Sequence, residues 1–140
     1  MTWLASTEDP IQVVVVGGET AKGLATHLSN DREVCLLSDD EQVVANASSE
    51  EFDARHVDLK CRDLAEHADD ADVAVVGTER DRVGLIVAQS LATACDLESV
   101  LVRVNDPANE PAFRDVNCEV IETGPVLGAE IERILSAADA

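Results

Sequence analysis

Gly17, Gly18, Glu19, Thr20 and Ala21 follow directly on the apolar run Val13–Val16, and a helical pattern starts immediately behind them. Glycines between a buried strand and a helix N-terminus make an anion cradle. Backbone can approach closely there, and free N–H groups and the helix dipole face the same point. The full spacing for this chemistry is G-x-G-x-x-G/A. Its first Gly makes the tight turn, the second admits a phosphate, and the third allows close helix–strand packing. The register Val16-Gly17-Gly18-Glu19-Thr20-Ala21 keeps the second Gly and an acceptable Ala, but has Val in the first position. Glu19 brings a negative charge into the loop, which Lys22 partly offsets. The plainer alternative is a strand–helix turn that needs glycine only for its geometry.

The other groups able to do chemistry lie just past later apolar runs. About twenty residues beyond the glycines, where an acid would accept from ribose hydroxyls, stand Ser38 and then Asp39 and Asp40. Asp39 takes that role if the strand runs one residue further, whereas Asp40 reads as a helix cap. No Arg stands beside them, which disfavours a 2′-phosphate. Asp58 and Leu59 come at the end of a third run, and Thr78 and Glu79 after a fourth. Arg103 ends a fifth, apolar run, where an unpaired charge is costly; it calls for a carboxylate such as Asp58 or Asp106, or for a bound phosphate. No catalytic constellation accompanies these residues. The serines lie outside G-x-S-x-G, and no His is placed as a base beside a nucleophile.

Apolar periodicity predicts the elements that must position these groups. Strands are expected at Ile11–Val16, Glu33–Leu37, Arg55–Leu59, Ala71–Val76, Ser99–Val104 and Cys118–Ile121. Helices are expected at Thr20–Ser29, Asp39–Asn46, Arg62–Ala68, Arg80–Ala94, Glu110–Asp115 and Val126–Ser136. Strands separated by helices of this length imply right-handed βαβ crossovers. The expected fold is a three-layer αβα, Rossmann-like domain with a six-stranded, mainly parallel, doubly wound sheet over residues 11–140. Residues 1–10 read as a flexible N-terminal segment. At 140 residues little is left for a second domain.

Composition narrows the function classes. A net charge of −19, with Lys only at Lys22 and Lys60, repels nucleic acid and anionic lipid. The same balance is similar to that of halophilic archaeal proteins, whose self-repulsion is screened by salt, so low salt should weaken the fold. No apolar stretch reaches membrane-span length, which excludes direct membrane insertion. Cys35, Cys61, Cys95 and Cys118 lack C-x-x-C spacing, and His27, His56 and His67 lack ligand spacing, so no metal site is expected.

The whole pattern resembles the TrkA N-terminal type domain, the regulator-of-K⁺-conductance (RCK) domain, over roughly Ile11 to Leu135. Val100–Val104 followed by Asn105-Asp106-Pro107 is similar to that family's fifth strand and R-x-N-D-P ending. Asp115–Ile121 is similar to its next segment, with Asn117 in a Gly position. Asp58, Asp72 and Asp81 fall on family acids, while Val16, Ser38, Val57 and Gly84 depart from the family pattern. The resemblance implies a cytoplasmic domain binding NAD(H), or else ATP, ADP or AMP, as a regulatory ligand. It also implies assembly as a homodimer or larger ring that biases a potassium channel or transporter, here as a separate subunit of a membrane cation transporter or a soluble sensor. The alternatives are a degenerate scaffold acting by dimerisation or partner docking and, less favoured, a small NAD-dependent oxidoreductase, which would need a substrate domain.

Overall fold

The computed structural model describes residues 11–48, 50 and 52–139; the expected lead-in at 1–10 lies outside these. Six strands form one all-parallel sheet in the order β3-β2-β1-β4-β5-β6. They are β1 Gln12–Val16, β2 Glu33–Ser38, β3 Asp53–His56, β4 Val73–Val76, β5 Ser99–Val104 and β6 Glu119–Glu122. Among the described residues four α-helices intervene or follow: α1 Glu19–Leu28, α2 Glu41–Ala47, α3 Asp81–Ala94 and α4 Thr123–Asp139. The segments Arg62–Ala68 and Pro107–Phe113 are 3₁₀ helices.

Continuous apolar strands are what a sheet covered on both faces requires. Val13, Val15, Val34 and Leu36 pack under Ala21 and Ala25 of α1 and Val43 and Ala47 of α2. Val14, Val16, Leu37, Ala74, Val76, Val100 and Val102 face Val87, Ala88 and Leu91 of α3 on the other side, with Leu64, Ala68 and Phe113 of the 3₁₀ segments. The two sets alternate along each strand, as period-two side chains must. Right-handed crossovers account for the split, since chain moving outward from β1 to β3 and chain moving outward from β4 to β6 deposit helices on opposite faces.

Several boundaries differ from the periodicity reading. The third strand lies at Asp53–His56 rather than Arg55–Leu59. It is an edge strand held by backbone pairing to β2, Cys35 opposite Asp53 through Ser38 opposite His56, so apolar side chains do not mark it. The sixth strand and the closing helix are also shifted; α4 starts at Thr123 because Pro125 is tolerated in a first helical turn. Among the described residues no helix is long and apolar enough to cross a membrane.

The cysteines are free and half-buried, and Cys35, Cys95 and Cys118 pack against the α3-side core. Burial pushes the Cys35 thiol up to about 11, with Asp53 adding to the rise and the Arg55 guanidinium opposing it. Because the thiolate is the nucleophile, Cys35 should resist iodoacetamide at pH 8 in the native protein and react readily in denaturant. Peptide mass spectrometry of the two samples reads this directly, and equal labelling would show that the thiol is not held in this way.

Candidate functional site

The sharpest backbone demand among the described residues is at the end of β1. Val16 completes the strand, fully buried between Leu37 and Val76, so the tight turn begins one residue later. Gly17 has φ 150°, and a Cβ there would lie 2.9 Å from both the Ala21 Cβ and the Gly77 carbonyl oxygen. Its own N–H donates to the Leu37 carbonyl at 3.0 Å. Gly17 therefore does the work of the first fingerprint glycine, and Ala21, fully buried, does that of the third.

Gly18 caps α1 without a side-chain hydrogen bond, and the helix begins its own bonding with Lys22 N–H to the Gly18 carbonyl at 3.0 Å. The amides of Glu19, Thr20 and Ala21 thus have no partner within the helix, the arrangement that receives an anion. Glu19 and Thr20 point their side chains to solvent. Gly18 borders Glu79, whose Oε1 would lie 3.4 Å from a Cβ at position 18, so the nearest side chain over the cradle is itself acidic.

Beyond this turn, the carboxyl ends of β1, β2 and β4 enclose a cleft of about 350 Å³. Of the residues singled out in sequence, Gly17, Gly18, Asp39, Leu59, Thr78 and Glu79 line it. Asp40, Lys60, Arg80 and Val83 join them. Lys60 and Arg80 were not foreseen, although each lies within two residues of a group that was. They supply positive charge, while Lys22 sits on α1 outside the cleft lining.

The remaining candidates act on the lining or stand apart from it. β2 ends at Ser38, one residue beyond the Leu37 expected, which leaves Asp39 exposed at the rim. Ser38 is fully buried; its Oγ accepts from Asp40 N–H at 3.2 Å and its carbonyl from Val57 N–H at 2.8 Å. Asp40 caps α2 by accepting from Gln42 N–H at 2.9 Å. Asp58 accepts from Lys60 N–H at 3.0 Å, fixing the turn that turns Leu59 inward and Lys60 toward the cleft. Thr78 is buried and donates to the Arg80 carbonyl at 3.1 Å. Its Oγ1 occupies the space a Cβ on Gly84 would need, 2.8 Å away, so a larger residue there would not fit unchanged. Arg103 lies outside the cleft lining: its Nε donates to Thr123 Oγ1 at 3.3 Å, and neither Asp58 nor Asp106 pairs with it.

A carboxylate that the sequence marks at the head of the long helix, without a ligand role, holds the far wall. Asp81, buried at the start of α3, accepts from Asn105 N–H, Asn105 Nδ2, Asp106 N–H and Asn109 Nδ2, all between 2.8 and 2.9 Å. Asn105 Nδ2 also reaches the Thr78 and Glu79 carbonyls at 3.3 and 3.2 Å. The Asn105-Asp106-Pro107 ending is thereby a clasp that fixes the Thr78–Arg80 lip. Burial alone would raise the Asp81 pKa; the donors on Asn109, Asn105 and Asp106 together outweigh it and hold the carboxyl below its usual value.

An all-parallel doubly wound sheet with a glycine turn and free helix amides at its carboxyl edge defines a domain of the mononucleotide- and dinucleotide-binding class. Residues 12–123 match the TrkA-N domain, and the chain belongs to that family. No curated protein matches it. Solved structures share the fold. The NAD(P)-binding domain of an exopolyphosphatase-related protein from Archaeoglobus fulgidus superposes with TM-score 0.80 at 18% identity, over 89% of this chain and 97% of that one. The GsuK RCK domain gives 0.65 at 11% identity, over 81% of this chain and 26% of that one. The GsuK channel bound to NAD gives 0.66 at 11% identity, over 81% and 21%.

Proposed function

We infer that this domain is a non-catalytic nucleotide sensor, taking NAD(H), or ATP, ADP or AMP, at the Gly17–Ala21 turn and regulating a cation transporter as part of a homodimer or larger ring. The observation that carries the reading is the set of unpartnered α1 amides opening on a cleft bounded by Asp39, Leu59, Lys60 and Thr78. The phosphates would sit on the amides of Gly18 to Ala21, with Lys60 and Arg80 offsetting Glu19 and Glu79. Asp39, rather than the buried Ser38, would accept from the ribose hydroxyls. Ser38 and Asp58 support the site by holding its loops. Ligand state would act on the assembly only through its different affinity for two arrangements of the subunits. The GsuK channel seen with NAD supports the ligand class for a relative of the same fold.

The test is a thermal-shift and calorimetric panel of NAD⁺, NADH, ATP, ADP and AMP in molar KCl, the salt that an acidic chain of this charge calls for. A ligand at about 100 times its Kd should add about 2.7 kcal/mol of stability. Asp39→Asn should weaken dinucleotide binding by about tenfold, the loss of one charge-assisted hydrogen bond, while leaving the unliganded midpoint in place. Silence across the panel would sink the sensor reading and leave a scaffold that works by docking.

A further inference from the structure

We propose that Glu79 sets the charge of the ligand this cleft takes, favouring the oxidised, pyridinium-bearing form of a nicotinamide dinucleotide over the reduced form and over adenine nucleotides. The proposal rests on the nucleotide reading above and adds to it the residue that selects among the candidate ligands.

A carboxylate stands where a phosphate site ordinarily has none. Glu79 lines the cleft, and its Oε1 stands over Gly18, 3.4 Å from where a Cβ at that position would lie. Gly18 caps α1, whose unpartnered amides open on the same space. No described Lys, Arg or His forms an ion pair with Glu79, and Lys60 and Arg80 of the cleft are in no described ion pair either. The main chain fixes its place. Asn105 Nδ2 donates to the Glu79 carbonyl at 3.2 Å and to the Asp81 carboxylate at 2.9 Å, so Glu79 is held by the clasp that shapes the lip.

The rest of the wall does not cancel this charge. Asp39, Asp40 and Glu79 face only Lys60 and Arg80, and the exposed Glu19 adds a further carboxylate in the first turn of α1. Each phosphate added to a ligand increases the opposition, whereas a positive group beside the pyrophosphate relieves it. Among NAD⁺, NADH, ATP, ADP and AMP, only NAD⁺ carries such a group. Its nicotinamide is a pyridinium, and hydride addition to the ring removes that charge.

Strand order assigns the two ends of such a ligand to different walls. Asp39, the ribose acceptor, follows β2; the glycine turn follows β1; Glu79 follows β4. With the adenosine ribose at Asp39 and the pyrophosphate at the turn, the other half of a dinucleotide is left with the β4 side. Glu79 is the carboxylate there.

Salt separates this contact from the general acidity of the chain. A net charge of −19 opposes every nucleotide at low salt. At molar KCl the Debye length is about 3 Å, and only groups in near contact still discriminate. Glu79 is exposed, so its effect is that of a solvent-facing pair, about threefold to fivefold in affinity.

The experiment is titration calorimetry of NAD⁺, NADH, ADP and ATP in molar KCl with EDTA, on the wild type and on Glu79→Gln. The wild type should bind NAD⁺ about threefold to fivefold more tightly than NADH, with ATP weakest. Glu79→Gln should bring NAD⁺ and NADH together by tightening NADH, since NAD⁺ loses an attraction as well as a repulsion. The exposed position means that the variant should keep the unliganded melting midpoint. Equal affinity for the two forms, or a preference that Glu79→Gln leaves in place, overturns the proposal while nucleotide binding stands. ATP binding that needs Mg²⁺ in the wild type but not in Glu79→Gln would assign the carboxylate to a metal ion and overturn it too. Silence from every ligand overturns the sensor reading itself, and this inference with it.

Discussion

Gly17→Ala should lower the stability of the domain by about 2–6 kcal/mol, combining an unfavourable backbone conformation with overpacking. The methyl would meet Ala21 Cβ and the Gly77 carbonyl at 2.9 Å, and neither is the free end of a flexible side chain. The collision therefore separates α1 from the β1 and β4 ends that it closes upon. Against a total stability of about 5–15 kcal/mol this is a large fraction. Urea unfolding at constant molar KCl should show a lower midpoint with an unchanged slope. Gly18→Ala is the milder comparison: its φ is −104° and its nearest contact is Glu79 Oε1 at 3.4 Å, so the loss should be confined to the cap position and stay well below that of Gly17→Ala. A shift below about 1 kcal/mol for Gly17→Ala would mean that the turn can relax at little cost, and that its glycine is retained for the ligand alone.

Asp81→Ala should cost about 1–3 kcal/mol, because part-buried N–H groups on Asn105, Asp106 and Asn109 lose one shared acceptor. Asp81→Asn, which keeps one oxygen but no charge, should cost less. The pH dependence has a definite sign. The folded carboxyl is held below its ordinary value, so its contribution is fully present above the unfolded pKa of about 3.9. It is lost as pH falls through the lower folded value. The stability gap between wild type and Asp81→Asn should accordingly be widest near neutrality and narrow on acidification. A gap that stays constant with pH would show that the clasp does not depend on the charge. Loosening it should also blunt the nucleotide response, because Asn105 holds the carbonyls of Thr78 and Glu79 at the cleft.

The residues that were legible in advance share one property, that their neighbours in sequence explain them. The strand–turn–helix at Val13–Ala21 could be read locally because glycine chemistry and apolar periodicity both act over a few residues. β2, β4 and β5 could be read for the same reason, since strands inside the sheet carry nearly continuous aliphatic runs. β3 could not, because Asp53-Ala54-Arg55-His56 owes its conformation to hydrogen bonds from β2, and backbone pairing leaves no mark on side-chain type. Ser38 and Asp39 were separated by one residue of strand length, a difference that decides which side chain is buried and which meets the cleft. Lys60 and Arg80 belong to loops after different strands, and only the sheet order brings them to one wall.

The sequence by itself determined the doubly wound α/β class, the glycine turn, and the family to which the Arg103–Pro107 ending points. These rest on local propensity and periodicity, which act before any long-range contact forms. Tertiary structure alone decided that Gly17 is the turn glycine, that Asp81 is the clasp for Asn105 and Asn109, and that no carboxylate among the described residues pairs with Arg103. It also decided that, among the described residues, nothing buries the apolar stripe of α4. Each of these depends on groups distant in sequence meeting at one place, and on how far each is removed from water when they meet.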